Sequence, residues 1–117
     1  MENFENLTLD DVIDIIPDFP YKPLERRVII TINNVEEEDA ISIGSGMDEF
    51  QYVVAVGEYV KSVKPADKVL IDMSRLSKPV VDEETGEKSF VASIRPIKAF
   101  NRYFALIPDS LIEAVEI

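Results

Sequence analysis

The chain has 117 residues, no cysteine, no histidine and a formal net charge of −11. That length suffices for one domain with a single modest core. The missing residue types exclude a disulfide scaffold, a thiol nucleophile, a Cys/His zinc site and a histidine general base. The charge is uneven: residues 1–58 carry 14 acids and 3 bases, and residues 59–117 carry 9 of each. A nucleic-acid surface needs clustered Lys and Arg, so the acidic half argues against one. No apolar run approaches the ~20 residues of a membrane span, and the acidic opening MENFENLTLDD is unlike a signal peptide. The expectation is a cytoplasmic protein with no membrane or nucleic-acid partner.

Residues 1–20 read as an N-terminal extension. Thr8, with Asp11 three residues later, resembles a capping box. Leu9, Val12, Ile13 and Ile16 then fall at helical spacing, and Pro17 stops the helix. A helix of two turns is marginal alone. It must dock, either on its own domain or on a neighbouring subunit or partner. Residues 21–117 read as one β domain. Tyr21–Ile32 is its first strand, and Arg26 and Arg27 beside Glu25 read as solvated pairing partners.

Residues 33–51, NNVEEEDAISIGSGMDEFQ, form the most informative irregular stretch. Four acids, Glu36 to Asp39, lack the spacing of a calcium loop and read as a solvated run. Ile41, Ser42, Ile43 and Met47 then surround a Gly44-Ser45-Gly46 hinge. Two readings stand side by side. In one, a peptide orders only on binding and inserts Ile41, Ile43 and Met47 into an apolar groove. In the other, Ile41 and Ile43 belong to a short extra strand on the core.

The domain is organised around the pair Tyr52–Val56 and Val69–Ile71, joined through Gly57 and the turn Lys64–Lys68. Their consecutive apolar residues predict strands buried on both faces. Lys78–Pro96 reads as an inserted hairpin around the polar turn Asp82–Glu87. Arg102–Ile107 is a further strand. Leu111–Ile117 closes the chain as a last strand or a short helix. Five to seven short strands and no long helix predict an all-β fold, a small barrel.

Three stretches resemble the GroES-type co-chaperonins. Lys22-Pro23-Leu24-Glu25-Arg26-Arg27-Val28-Ile29 is similar to the family's opening strand, with Arg26 where an Asp often stands. Val53-Val54-Ala55-Val56-Gly57, followed by Val63-Lys64-Pro65-Ala66-Asp67-Lys68-Val69-Leu70-Ile71, is similar to its core. The closing stretch Tyr103–Glu116 is similar to its C-terminal strand, and the order of the three agrees. The resemblance implies a GroES-like β-barrel, a homo-oligomeric ring of seven, and a chaperonin ring as protein partner. It also implies a mobile loop at about residues 33–49, whose docking tripeptide falls at Ile41-Ser42-Ile43. Four departures stand out: Ala66 for Gly, Ser42 inside the apolar tripeptide, no room for a roof hairpin before Gly57, and the added N-terminal helix and Lys78–Pro96 hairpin. A divergent relative, cellular or virus-encoded, fits them.

The expected function is therefore a ring-forming lid that docks through its mobile loop and assists ATP-dependent folding. The alternative is a structural subunit, a virion decoration or connector, built on the same barrel. Neither reading makes the chain an enzyme, and neither requires a cofactor or a metal.

Overall fold

The computed structural model describes residues 6–33, 49–72, 77–81, 84–86, 88–92 and 95–117. A short helix, α1 (Leu9–Ile15), continues into a 3₁₀ turn, Ile16–Asp18. Eight strands follow: β1 (Arg27–Thr31), β2 (Phe50–Val56), β3 (Lys68–Ile71), β4 (Ser77–Val81), β5 (Lys88–Ala92), β6 (Arg95–Ala99), β7 (Arg102–Pro108) and β8 (Ile112–Val115). Six form one antiparallel sheet in the order β6-β7-β1-β2-β3-β8, while β4 and β5 pair only with each other. The all-β expectation holds at this level, and so does the inserted hairpin. Among the described residues no helix is long and apolar enough to cross a membrane.

The sheet has two apolar faces. Val28, Ile30, Val53, Val69, Ile71 and Ile107 pack on one face, joined by Leu111 and Val115 from the far end of the chain. Ile29, Val54, Ala99 and Phe104 pack on the other, under Val12. β1 is thus buried on both sides, as its unbroken apolar run predicts. β3 is not. Val69 and Ile71 are buried, but Lys68 and Leu70 are only half so. The second layer covers β1, β2, β6 and β7, and β3 lies outside it. A bulge between Ile29 and Ile30 leaves Val54 without a directly opposed residue, which bends and twists the β1–β2 ribbon.

The N-terminal helix docks on its own sheet. Thr8 Oγ1 accepts from Asp11 N–H at 3.2 Å, and Asp11 Oδ2 accepts from Thr8 N–H at 3.0 Å, so the capping box forms in full. Those Thr8 contacts, its backbone N–H foremost, hold the Asp11 carboxyl below the usual aspartate range. Val12 is fully buried, which contributes about 2 kcal/mol. Leu9 and Ile13 stay exposed. Phe19 pins the following segment edge-on against Phe104, with ring centroids 5.0 Å apart.

The first strand is shorter than the sequence suggests, because residues 21–26 are irregular. Glu25 has φ +57°, and Arg27 N–H donates to Leu24 C=O at 3.2 Å, closing a turn just before β1. Arg26 reaches Asp109 at 4.0 Å rather than Glu25. β6 was not foreseen at all. It joins β7 through Phe100 and Asn101, at φ +53° and +59°, a two-residue turn with both central residues left-handed. Asn suits that position and Phe does not, so composition gave no hairpin signal there. At the C-terminus a 3₁₀ turn, Asp109–Leu111, leads into strand β8 and decides against a closing helix.

The turn between β2 and β3 carries a measurable strain. Pro65 precedes Ala66 at φ +76°, and Asp67 N–H donates to Lys64 C=O at 3.1 Å, the pattern of a type II turn. Its third position favours Gly. An Ala in this region costs about 1–2 kcal/mol, against which Gly loses more chain entropy on folding, about 0.4–1 kcal/mol. Ala66→Gly is expected to stabilise the protein by about 0.5 kcal/mol, read as a raised urea midpoint at constant slope. An unchanged or lowered midpoint would mean that the turn holds Ala without strain.

Candidate functional site

The residues predicted to dock a partner, Ile41, Ser42, Ile43 and Met47, lie outside the described residues, as does the acidic run Glu36–Asp39. The structure describes the two feet from which that segment leaves the sheet. One is the end of β1 at Thr31–Asn33, and the other is the start of β2 at Phe50–Tyr52.

The feet are clasped by buried amides. Gln51 Oε1 accepts from the Thr31 hydroxyl and from Asn33 N–H, both at 2.8 Å. Gln51 Nε2 donates to Asn33 C=O at 3.2 Å. One side chain therefore bonds both backbone groups of Asn33, just past the end of β1. Tyr52 N–H donates to Thr31 Oγ1 at 3.0 Å, tying the second foot to the first. Asn33 repeats the device toward the N-terminus. Its Oδ1 accepts from Leu7 N–H at 3.0 Å, and its Nδ2 donates to Leu7 C=O at 3.1 Å. Thr31 and Gln51 are essentially inaccessible, and Asn33 is buried. Sequence reading placed Asn33 and Gln51 inside a polar loop. The signal it lacked is positional: Thr31 and Gln51 abut apolar strand residues, and polar side chains there have to find partners.

A second feature lies on the other face, at the opposite end of β1. Ile29, Ile97 and Leu106 form the floor of a cavity of about 640 Å³, walled on one side by residues 21–25. Its rim carries Lys22, Arg27 and Arg95 against one acid, Glu25, while the Lys98 ammonium lies over the Tyr103 ring, 5.8 Å from its centroid. Strand periodicity explains the grouping. Arg27 and Ile29 share a face of β1, and Arg95 and Ile97 share a face of β6, so each strand contributes a charge and an apolar residue side by side. A smaller cavity of about 270 Å³ adjoins it and shares Arg27, Arg95 and Leu106. Arg27 is exposed, as its reading as a solvated residue expects; that it lines a cavity together with Arg95 was not foreseen, because β6 had not been recognised as a strand.

Neither feature holds a catalytic constellation. Among the described residues there is no group of three or more His, Cys, Asp or Glu able to hold a metal ion. Among the described residues the shifted carboxyls are Asp11 and Glu58, both lowered by backbone N–H groups, chiefly that of Thr8 for Asp11 and those of Glu58 itself and Glu25 for Glu58. Such shifts are those of caps and turns rather than of acid–base chemistry. No protein-family model and no curated protein matches the chain.

Proposed function

We propose that the chain is a ring-forming lid subunit of the GroES-like co-chaperonin type, which docks on a chaperonin through a mobile loop at about residues 33–49. The observation that carries this reading is the clasp between Thr31, Asn33 and Gln51. It holds both feet of a segment that runs from an acidic stretch into Ile41 and Ile43. A fixed base under a binding segment lowers the entropy lost on docking. The order of elements supports the same reading: β1, the clasped segment, the β2–turn–β3 pair, and a C-terminal strand that pairs with β3 and completes the core around Val28 and Ile107. Several such loops, seven in the ring that the resemblance implies, would bind together, so each can be weak. Ser42 within the apolar tripeptide is compatible with weak individual docking.

Ile43→Asp is expected to abolish co-migration with a chaperonin ring while leaving the oligomeric state unchanged. Co-migration at the wild-type level would overturn the assignment of the loop. A structural subunit of an assembly is the second reading. One observation favours it: β2 runs unbroken from Phe50 to Val56, so the stretch between residue 49 and Gly57 has no room for a roof hairpin. Under that reading Ile43→Asp changes nothing at a chaperonin, and the chain never meets one.

A further inference from the structure

The cavity beside β6 has no part in loop docking, and its chemistry is specific. Three of the chain's 12 bases, Lys22, Arg27 and Arg95, stand at its rim, in a protein whose net charge is −11. Arg27 and Arg95 line both adjoining cavities, and so stand where the two meet. Guanidinium groups bind carboxylates in a planar, two-pronged manner. Beneath them Ile29, Ile97 and Leu106 offer an apolar floor, and Leu24 and Tyr21 are exposed on the wall. A solvated charge cluster would not need that floor. A purely apolar ligand would not need those cations.

We infer that this groove is a docking surface for an acidic, extended peptide segment of a separate protein, carrying aliphatic side chains between its carboxylates. The aliphatic groups rest on Ile97 and Leu106, and the carboxylates meet Arg27 and Arg95, with Lys22 at one end. Charge complementarity selects the occupant. Nucleic acid would also meet the cations, but its phosphate backbone has no aliphatic group for the floor. The proposal stands apart from the chaperonin reading, since it uses neither the clasp nor residues 34–48.

The test is fluorescence anisotropy of dye-labelled peptides with the full chain. The probe is Glu-Glu-Leu-Asp-Leu-Glu-Glu; the controls replace its acids with Lys, or its leucines with Ser, and a duplex DNA is run beside them. The acidic aliphatic probe is expected to bind, and to weaken as salt rises past about 0.15 M. Both peptide controls should fail. The double variant Arg27→Glu/Arg95→Glu should lose roughly tenfold or more in affinity. Lys61→Glu, an exposed position away from the groove, adds half that charge change elsewhere on the surface and should leave binding unchanged. Failure of the probe to bind would overturn the proposal, as would equal losses in the double variant and Lys61→Glu. Duplex DNA binding as tightly as the probe would reassign the surface to phosphate. Concentration-dependent self-association that vanishes in the double variant would make the occupant an acidic segment of a second copy.

Discussion

Gly57→Ala is expected to destabilise the protein by about 3 kcal/mol, a fall of roughly 10 °C in Tm. The reason is close backbone approach. A Cβ at position 57 would lie 2.3 Å from the Glu25 carbonyl oxygen and 2.9 Å from the Leu24 carbonyl carbon. Backbone cannot swing aside as the end of a long side chain can. The contact is also enforced by hydrogen bonds on both sides. Gly57 N–H donates to Arg27 C=O at 2.9 Å, and Tyr59 N–H donates to Glu25 C=O at 3.0 Å. Relieving the clash means breaking one of these or shifting the turn at Glu25, which already holds φ +57°. Thermal denaturation followed by circular dichroism reads the effect. A fall of less than about 2 °C would show that the two chains can part cheaply at this point. Because Glu25 also walls the groove beside β6, the same variant should weaken binding there although the Arg27 and Arg95 side chains are unchanged.

Gln51→Leu is expected to cost about 3–4 kcal/mol, although leucine has nearly the right size and is more apolar. The substitution leaves the Thr31 hydroxyl and both backbone groups of Asn33 without the partners they have in the native protein, in a site closed to water. Each unsatisfied buried group costs about 1–3 kcal/mol, and the gain from burying leucine offsets only part of that. Gln51→Glu separates hydrogen bonding from shape. Neutral Glu keeps an acceptor for Thr31 and Asn33 N–H and one O–H donor for Asn33 C=O. Ionised Glu has no donor and buries a charge, so its folded pKa rises above the unfolded value. Its stability is therefore present in mild acid and lost as pH rises through that folded pKa. Urea unfolding of both variants across pH tests this. A Gln51→Leu variant as stable as wild type would remove the clasp as a structural element. A pH-independent Gln51→Glu variant would mean that water reaches the site.

Much of the fold was legible because its strands announce themselves. The β-branched runs at Val28–Thr31, Val53–Val56 and Val69–Ile71 pair as their composition suggests, and Pro65 with Asp67 marks the turn between the last two. Thr8 and Asp11 mark the helix start, and the cap forms as spaced. β6 was hidden because Arg95-Pro96-Ile97-Lys98-Ala99 has one strong strand former among five residues. Its place is fixed by β7, to which every one of those residues is paired. Pro96 tolerates the position because β6 is an edge of the sheet. The groove was illegible for the same reason. Arg27 and Arg95 are 68 positions apart in sequence, and only the order β6-β7-β1 brings them to one cavity. The clasp depends on a third kind of information, which side of the chain end Gln51 faces, and periodicity within a long polar stretch does not give that.

The reading of this chain as a docking lid meets its most direct test in gel filtration with a double-ring chaperonin, in the presence and absence of ATP. Nucleotide-dependent co-migration of the chain with the ring is the predicted result. A chain that elutes apart from the chaperonin under both conditions would contradict the lid reading and leave the structural-subunit reading in its place.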